Sequence, residues 1–105
     1  MEDFLNDVGV KVETKLFKLL RILSHEGPDL KRPYADFLRE GIRELRVIFS
    51  SNQYRALYFF FHGDNIVVTH GFMKKTDEVP SSEIERALRY RKDFEERVRK
   101  GGIKL

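Results

Sequence analysis

The chain has 105 residues, a mass of 12.5 kDa, a formal charge of +3 and a pI near 9.3. That length suits one domain, residues 1–105, with a single sizeable core. It contains no cysteine, which excludes disulfides, thiol catalysis and thiolate metal sites and fits a reducing compartment such as the cytoplasm.

The opening MEDFLNDVG is acidic and lacks the basic and apolar regions of a signal peptide. The longest apolar run, residues 56–61, is far short of the roughly 20 residues of a membrane span, so no membrane partner is expected. Charge is uneven along the chain. Before Ile42, seven cations face eight acids; from Ile42 on, thirteen cations face nine acids. The excess allows a polyanionic partner.

Residues 3–25 predict an amphipathic helix, with Phe4, Val8, Val12, Leu16, Leu19 and Leu23 recurring at three- and four-residue steps. Gly27-Pro28 ends it. Residues 28–41 read as a connector, with a short helical turn at 34–39 that plugs Phe37 and Leu38 into the core. Three strand-like runs rich in Val, Ile, Phe and Tyr follow between Ile42 and Thr76. Residues 50–53 form the first turn, and Gly63-Asp64 forms a tight second one. The middle run is apolar at both alternating sets, which predicts a central strand covered on both faces. After a loop at 77–80, Ser82 and Glu85 give a capping-box signal for a last helix. That helix carries a stripe of Ile84, Ala87, Leu88, Phe94 and Val98 and ends at Gly101-Gly102. The predicted fold is α+β: helix, connector, three-stranded antiparallel meander, helix.

Cations punctuate this apolar sheet: Arg46, Arg55, Lys74 and Lys75. Strand alternation tests whether they converge. A turn at Gly63-Asp64 sets Arg55 opposite Phe72 and Leu57 opposite His70, so Arg55 and His70 share a face. Arg46 joins them if the first turn has an even number of residues, or else points away; pairing with Glu44 is its structural alternative. Lys74 and Lys75 leave the third strand near Arg55. Two guanidiniums, an imidazole and a lysine on one face suit a phosphate, since arginine grips it with two prongs. No carboxylate pair or Asp/His cluster indicates a metal. Cleaving a phosphodiester without metal needs a base, cations for the pentacoordinate phosphate and an acid for the leaving oxygen. His62 and His25 read as surface residues. Tyr54, Tyr58 and residues 59–61 read as core at strand periodicity. The arginines of the last helix, Arg89 and Arg91 among them, read as a solvated face able to touch RNA backbone.

Glu44-Leu45-Arg46, Gln53-Tyr54-Arg55 before Tyr58-Phe59-Phe60, His70-Gly71-Phe72 with Lys74-Lys75-Thr76, and Pro80 with Glu83-Ile84-Glu85-Arg86-Ala87 follow in order. With Gly27-Pro28 and Arg32-Pro33-Tyr34, they resemble the phage-derived HigB-like branch of the RelE toxin superfamily over essentially the whole chain. The resemblance implies the toxin of a type II toxin–antitoxin pair. Such a toxin enters the ribosomal A site and cuts messenger RNA, without metal or other cofactor, leaving a cyclic phosphate. Its implied partners are the ribosome, messenger RNA and a helix-turn-helix, HigA-like antitoxin. It also implies catalytic roles for Arg55, Arg46, Lys74 and Lys75; His70 is added by alternation alone. Relatives open with a strand before the first helix, which this chain does not show: the expectation is either a start codon placed late or a sheet short of one edge strand. Some relatives use a tyrosine near the C-terminus, for which Tyr90 is the candidate. Two other functions compete: a weakly active or inactive relic that binds the antitoxin and tunes its regulation, and a ParE-like toxin directed at gyrase.

Overall fold

The computed structural model describes residues 9–102. Residues 3–8 of the expected first helix lie outside them. Helix α1 spans Val10–Glu26, and its Val12, Leu16 and Leu23 are buried as the stripe requires. A 3-10 turn at Gly27–Asp29 follows. Four strands, β1 (Ala35–Arg39), β2 (Ile42–Phe49), β3 (Asn52–Phe61) and β4 (Asn65–Lys74), form one antiparallel sheet in the order β1-β2-β3-β4. Helix α2 spans Ser81–Arg99. The fold is α+β as expected, with one strand more. No helix among the described residues is long and apolar enough to cross a membrane.

The additional strand is the segment read as a helical turn. Ala35, Asp36 and Phe37 pair with Leu45, Glu44 and Arg43, and Arg39 faces Ile42 across Glu40-Gly41. Both turn residues have positive φ, 52° and 83°, the backbone a two-residue hairpin needs to match strand twist. Six residues are too few to nucleate a helix without packing support, and the ladder offers β1 more bonds. Leu38 packs toward α2, but Phe37 stays out of the core, with the Arg43 guanidinium 5.6 Å from its ring centre.

The second hairpin also departs from expectation. Phe61 pairs with Asn65, so the loop holds three residues, with His62 and Gly63 at φ 49° and 86°. A bulge then places Thr69 as an extra residue between Val68, opposite Tyr58, and His70, opposite Leu57. The two deviations cancel: Arg55 faces Phe72 and Leu57 faces His70, as alternation predicted.

The sheet buries both faces. One packs on α1 through Leu45, Val47, Tyr54, Ala56 and Tyr58. The other packs on α2 through Ile42, Leu57, Phe59 and Ala87, with Phe94 meeting the Phe59 and Phe61 rings edge-on at 5.9 and 5.0 Å. β3 is therefore covered on both sides, and residues 54–59 are all buried. At the start of α2 the capping box does not form. Pro80 is the N-cap, without a side-chain bond, and Ser82 sits inside the first turn. The helix ends in a Schellman motif: Gly102 N–H bonds the Arg97 carbonyl at 2.8 Å and Gly101, at φ 79°, bonds that of Val98 at 3.0 Å.

Candidate functional site

The first turn is Ser50-Ser51, between Phe49 and Asn52, and its even length puts Arg46 directly opposite Arg55. Lys74 lies opposite Gln53 on the next strand. By alternation Glu44, Arg46, Arg55, His70 and Lys74 all belong to the sheet face that α2 partly covers. The convergence anticipated from the sequence is present in the backbone. The side chains then divide into a buried layer and an open one.

Arg55 is in the buried layer, 1% exposed. Its Nε lies 2.5 Å from Glu44 Oε1, its Nη2 donates to Gln53 Oε1 at 2.8 Å, and its Nη1 donates to the Tyr54 carbonyl at 3.1 Å. Burial, then the neighbouring Arg46 and Arg32 cations, draw the guanidinium below its ordinary value, while Glu44 opposes them. The direct grip on phosphate expected of Arg55 is thus closed to it, because the guanidinium is buried against the Glu44 carboxylate and its Nη groups donate to internal acceptors. Glu44, the alternative partner weighed for Arg46, belongs to Arg55 instead.

His70 is buried too, under α2. Its Nε2 lies 3.3 Å from Glu83 Oε1 and its Nδ1 lies 3.1 Å from Thr69 Oγ1. Phe72 stacks on the ring at 5.8 Å, and the Tyr90 ring is 5.7 Å away. Burial foremost, and then Arg86, hold the imidazole below its ordinary value against the pull of Glu83. The alternation reading was right about the face and wrong about access: the helix closes over the ring. Tyr90 itself is exposed and accepts from Arg86 Nε and Nη2 at 3.3 and 3.2 Å.

Arg46 and Lys74 form the open layer. Both are half-buried and line a cleft of about 420 Å³ between β1, β2 and the 77–79 loop. Neither has an ion-pair partner among the described residues. Arg32 stands at the same cleft, paired with Asp36 at 2.8 Å; the exposed carboxylates Asp77 and Glu78 and the Arg55-paired Glu44 also line it. The site is therefore of mixed sign, with two unpaired cations facing two unpaired acids. β4 ends at Lys74, so alternation no longer dictates where Lys75 points; it is exposed and outside the cleft lining. On α2, Arg89 is exposed, whereas Arg91 donates to the Glu40 carbonyl and ties the helix to the β1–β2 turn. A Cβ on Gly41 would stand 3.1 Å from that guanidinium, so the turn glycine serves both its φ and this contact. Arg91 is a tether here, in place of the RNA contact expected of it.

Two pairings that matter were missed in the sequence, Arg55 with Glu44 and His70 with Glu83. Glu44 was findable: alternation sets it opposite Leu57, diagonal to Arg55. Glu83 meets His70 only because α2 crosses the sheet there, which no local pattern encodes.

None of the curated proteins compared with the chain matches it. A family model does, over residues 3–92: phage-derived protein Gp49-like (DUF891). A chain matched over that span, with this sheet between two helices, belongs to the Gp49-like phage-derived family, a family of RelE-like toxins.

Proposed function

We propose that the protein is the toxin of a type II toxin–antitoxin pair, a cytoplasmic endoribonuclease that cuts messenger RNA on the ribosome without a metal. One observation carries the reading: Arg46 and Lys74, from separate strands, reach one cleft without ion-pair partners among the described residues, in a chain of a toxin family. In this reading Arg46 and Lys74 hold the phosphodiester, with Lys75 and Arg89 on flanking RNA backbone. An unpaired cleft carboxylate, Asp77 or Glu78, takes the 2′-hydroxyl proton as its oxygen attacks phosphorus. The bond from phosphorus to the 5′-oxygen breaks, and the Lys74 ammonium protonates the departing oxygen, leaving a cyclic phosphate. Arg55 acts from beneath, as a positioning residue that fixes Glu44 and the floor of the cleft. A HigA-like antitoxin is the partner this reading supplies.

The test is a reconstituted translation reaction with cleavage sites mapped on the message. Wild type cuts ribosome-bound message, and Arg46→Ala/Lys74→Ala loses about 10²-fold or more in rate with an unchanged unfolding temperature. Equal cutting by that variant removes the two cations from the mechanism. The sequestration of Arg55 and His70 favours a second reading, a toxin relic that binds its antitoxin and tunes regulation. Tight antitoxin binding with no message cut by wild type selects it. DNA damage with intact messages selects the gyrase-directed alternative.

A further inference from the structure

The sheet has an edge that the strands among the described residues leave open. β1 covers β2 as far as Leu45, and one more bond joins Arg46 N–H to the Tyr34 carbonyl at 2.9 Å. Val47, Ile48 and Phe49 continue beyond it with no strand alongside among the described residues. Backbone direction alternates along an antiparallel strand, so Ile48, two residues past Arg46, turns its N–H and carbonyl to the same outer side. There the Ile48 carbonyl accepts from Lys15 Nζ of α1 at 3.3 Å, a side chain standing where a strand donor would be. Its N–H faces the gap, and the residue is 58% exposed. Natural proteins usually blunt such an edge.

A cleft of about 410 Å³ runs beside this edge, between β2 and α1. Leu19, Ile22 and Val47 give it an apolar floor. Its charged lining residues are Lys15, Lys18 and Arg46, all cations, with no carboxylate among them. Lys11 and Lys15 stand over the Phe49 ring at the end of the strand, 5.9 and 5.7 Å from its centre.

We propose that the open edge of β2 is the docking site for an extended, acidic segment of a partner protein, which adds to the sheet as a strand. Its backbone pairs with the Ile48 N–H and carbonyl, alternate apolar side chains lie on the α1 floor, and its carboxylates meet Lys15, Lys18 and Arg46. Charge selects this occupant. A second copy of the chain would bring the same cations against these, and like charges across an interface repel. An RNA backbone offers no alternating donor and acceptor to match the Ile48 peptide groups. Arg46 also lines the cleft on the other side, so a docked carboxylate draws it away from RNA. That last consequence rests on the proposed function; the docking does not.

The experiment uses the full chain and a fluorescein-labelled octapeptide alternating valine and glutamate, read by anisotropy, beside its valine–lysine counterpart. The acidic peptide binds and the basic one does not. Ile48→Pro removes the outward N–H but none of the β2–β3 bonds, and it weakens binding about tenfold. Lys15→Glu/Lys18→Glu, on the exposed surface of α1, weakens it about as much with an unchanged unfolding temperature. Equal binding of the two peptides overturns the proposal, as does full-strength binding to a natively folded Ile48→Pro variant. Concentration-dependent dimerisation that Ile48→Pro abolishes assigns the edge to a second copy and also overturns it. Since the assay reads no RNA cleavage, docking can hold where the proposed nuclease fails.

Discussion

Arg55 and Arg46 face each other across two strands, yet physics assigns them different work. Removing one partner of a buried ion pair strands the other charge, so Arg55→Ala costs about 3–5 kcal/mol of stability through Glu44. Arg46→Ala, at the cleft mouth, changes stability by about 0.5 kcal/mol or less. Thermal unfolding of the two variants checks this split, and equal losses would mean that the Arg55–Glu44 pair is not what stabilises the sheet. Tyr58 is the opposite case: its hydroxyl is buried with no hydrogen-bond partner among the described residues. Burial pushes it up to about 12, so it stays protonated and unsatisfied under ordinary conditions. Tyr58→Phe removes that cost and is expected to match or exceed wild type in unfolding temperature. His70 couples stability to pH. An imidazole harder to protonate folded than unfolded contributes stability that is complete above about pH 6.5 and lost as pH falls toward its folded value. The groups facing it are Glu83, Arg86 and Tyr90 of α2 and Thr69 of β4. Unfolding temperature should therefore drop on acidification below about pH 6.5 in wild type, and less steeply in His70→Gln.

Among the elements, the turns hold the register that brings the cations together. Ser50 and Ser51 both sit at positive φ, 51° and 69°, which residues other than glycine and asparagine adopt at a cost. They persist there because Phe49 and Asn52 must flank a two-residue loop. Ser50→Asn/Ser51→Gly relieves the strain and is expected to add about 1 kcal/mol, a rise of roughly 4 °C or more in unfolding temperature. An insertion of one residue in the same turn would flip Arg46 to the α1 side, the sharpest test of register. In the β3–β4 hairpin, the longer loop and the Thr69 bulge offset each other. Thr69 then donates to the Leu57 carbonyl at 3.2 Å and braces the His70 ring, which gives the extra residue a role in the buried layer.

At the scale of the molecule, two helices press on the two faces of one sheet, and Arg46 lines a cleft on either side of it. The helix stripe on Val12, Leu16 and Leu23, the doubly covered β3 and the shared face of Arg55 and His70 were legible in the residues, whereas the side taken by Arg46 waited on the length of the Ser50-Ser51 turn. Each follows from a period of 3.6 or 2 that local backbone geometry imposes. β1 was not legible, because five residues with one glycine turn carry too little pattern to outweigh a helical reading. Nor was the sorting of the basic residues into a buried Arg55 and an open Arg46. The two lie on one face with equal claims, and α2, the Glu44 carboxylate and the 77–79 loop decide which of them meets water. By itself, then, the chain determined both helices, the three-stranded meander, their order and the common face of Arg55 and His70. Only the packing of distant segments decided exposure and pairing, because desolvation and ion pairing depend on neighbours that local periodicity does not name.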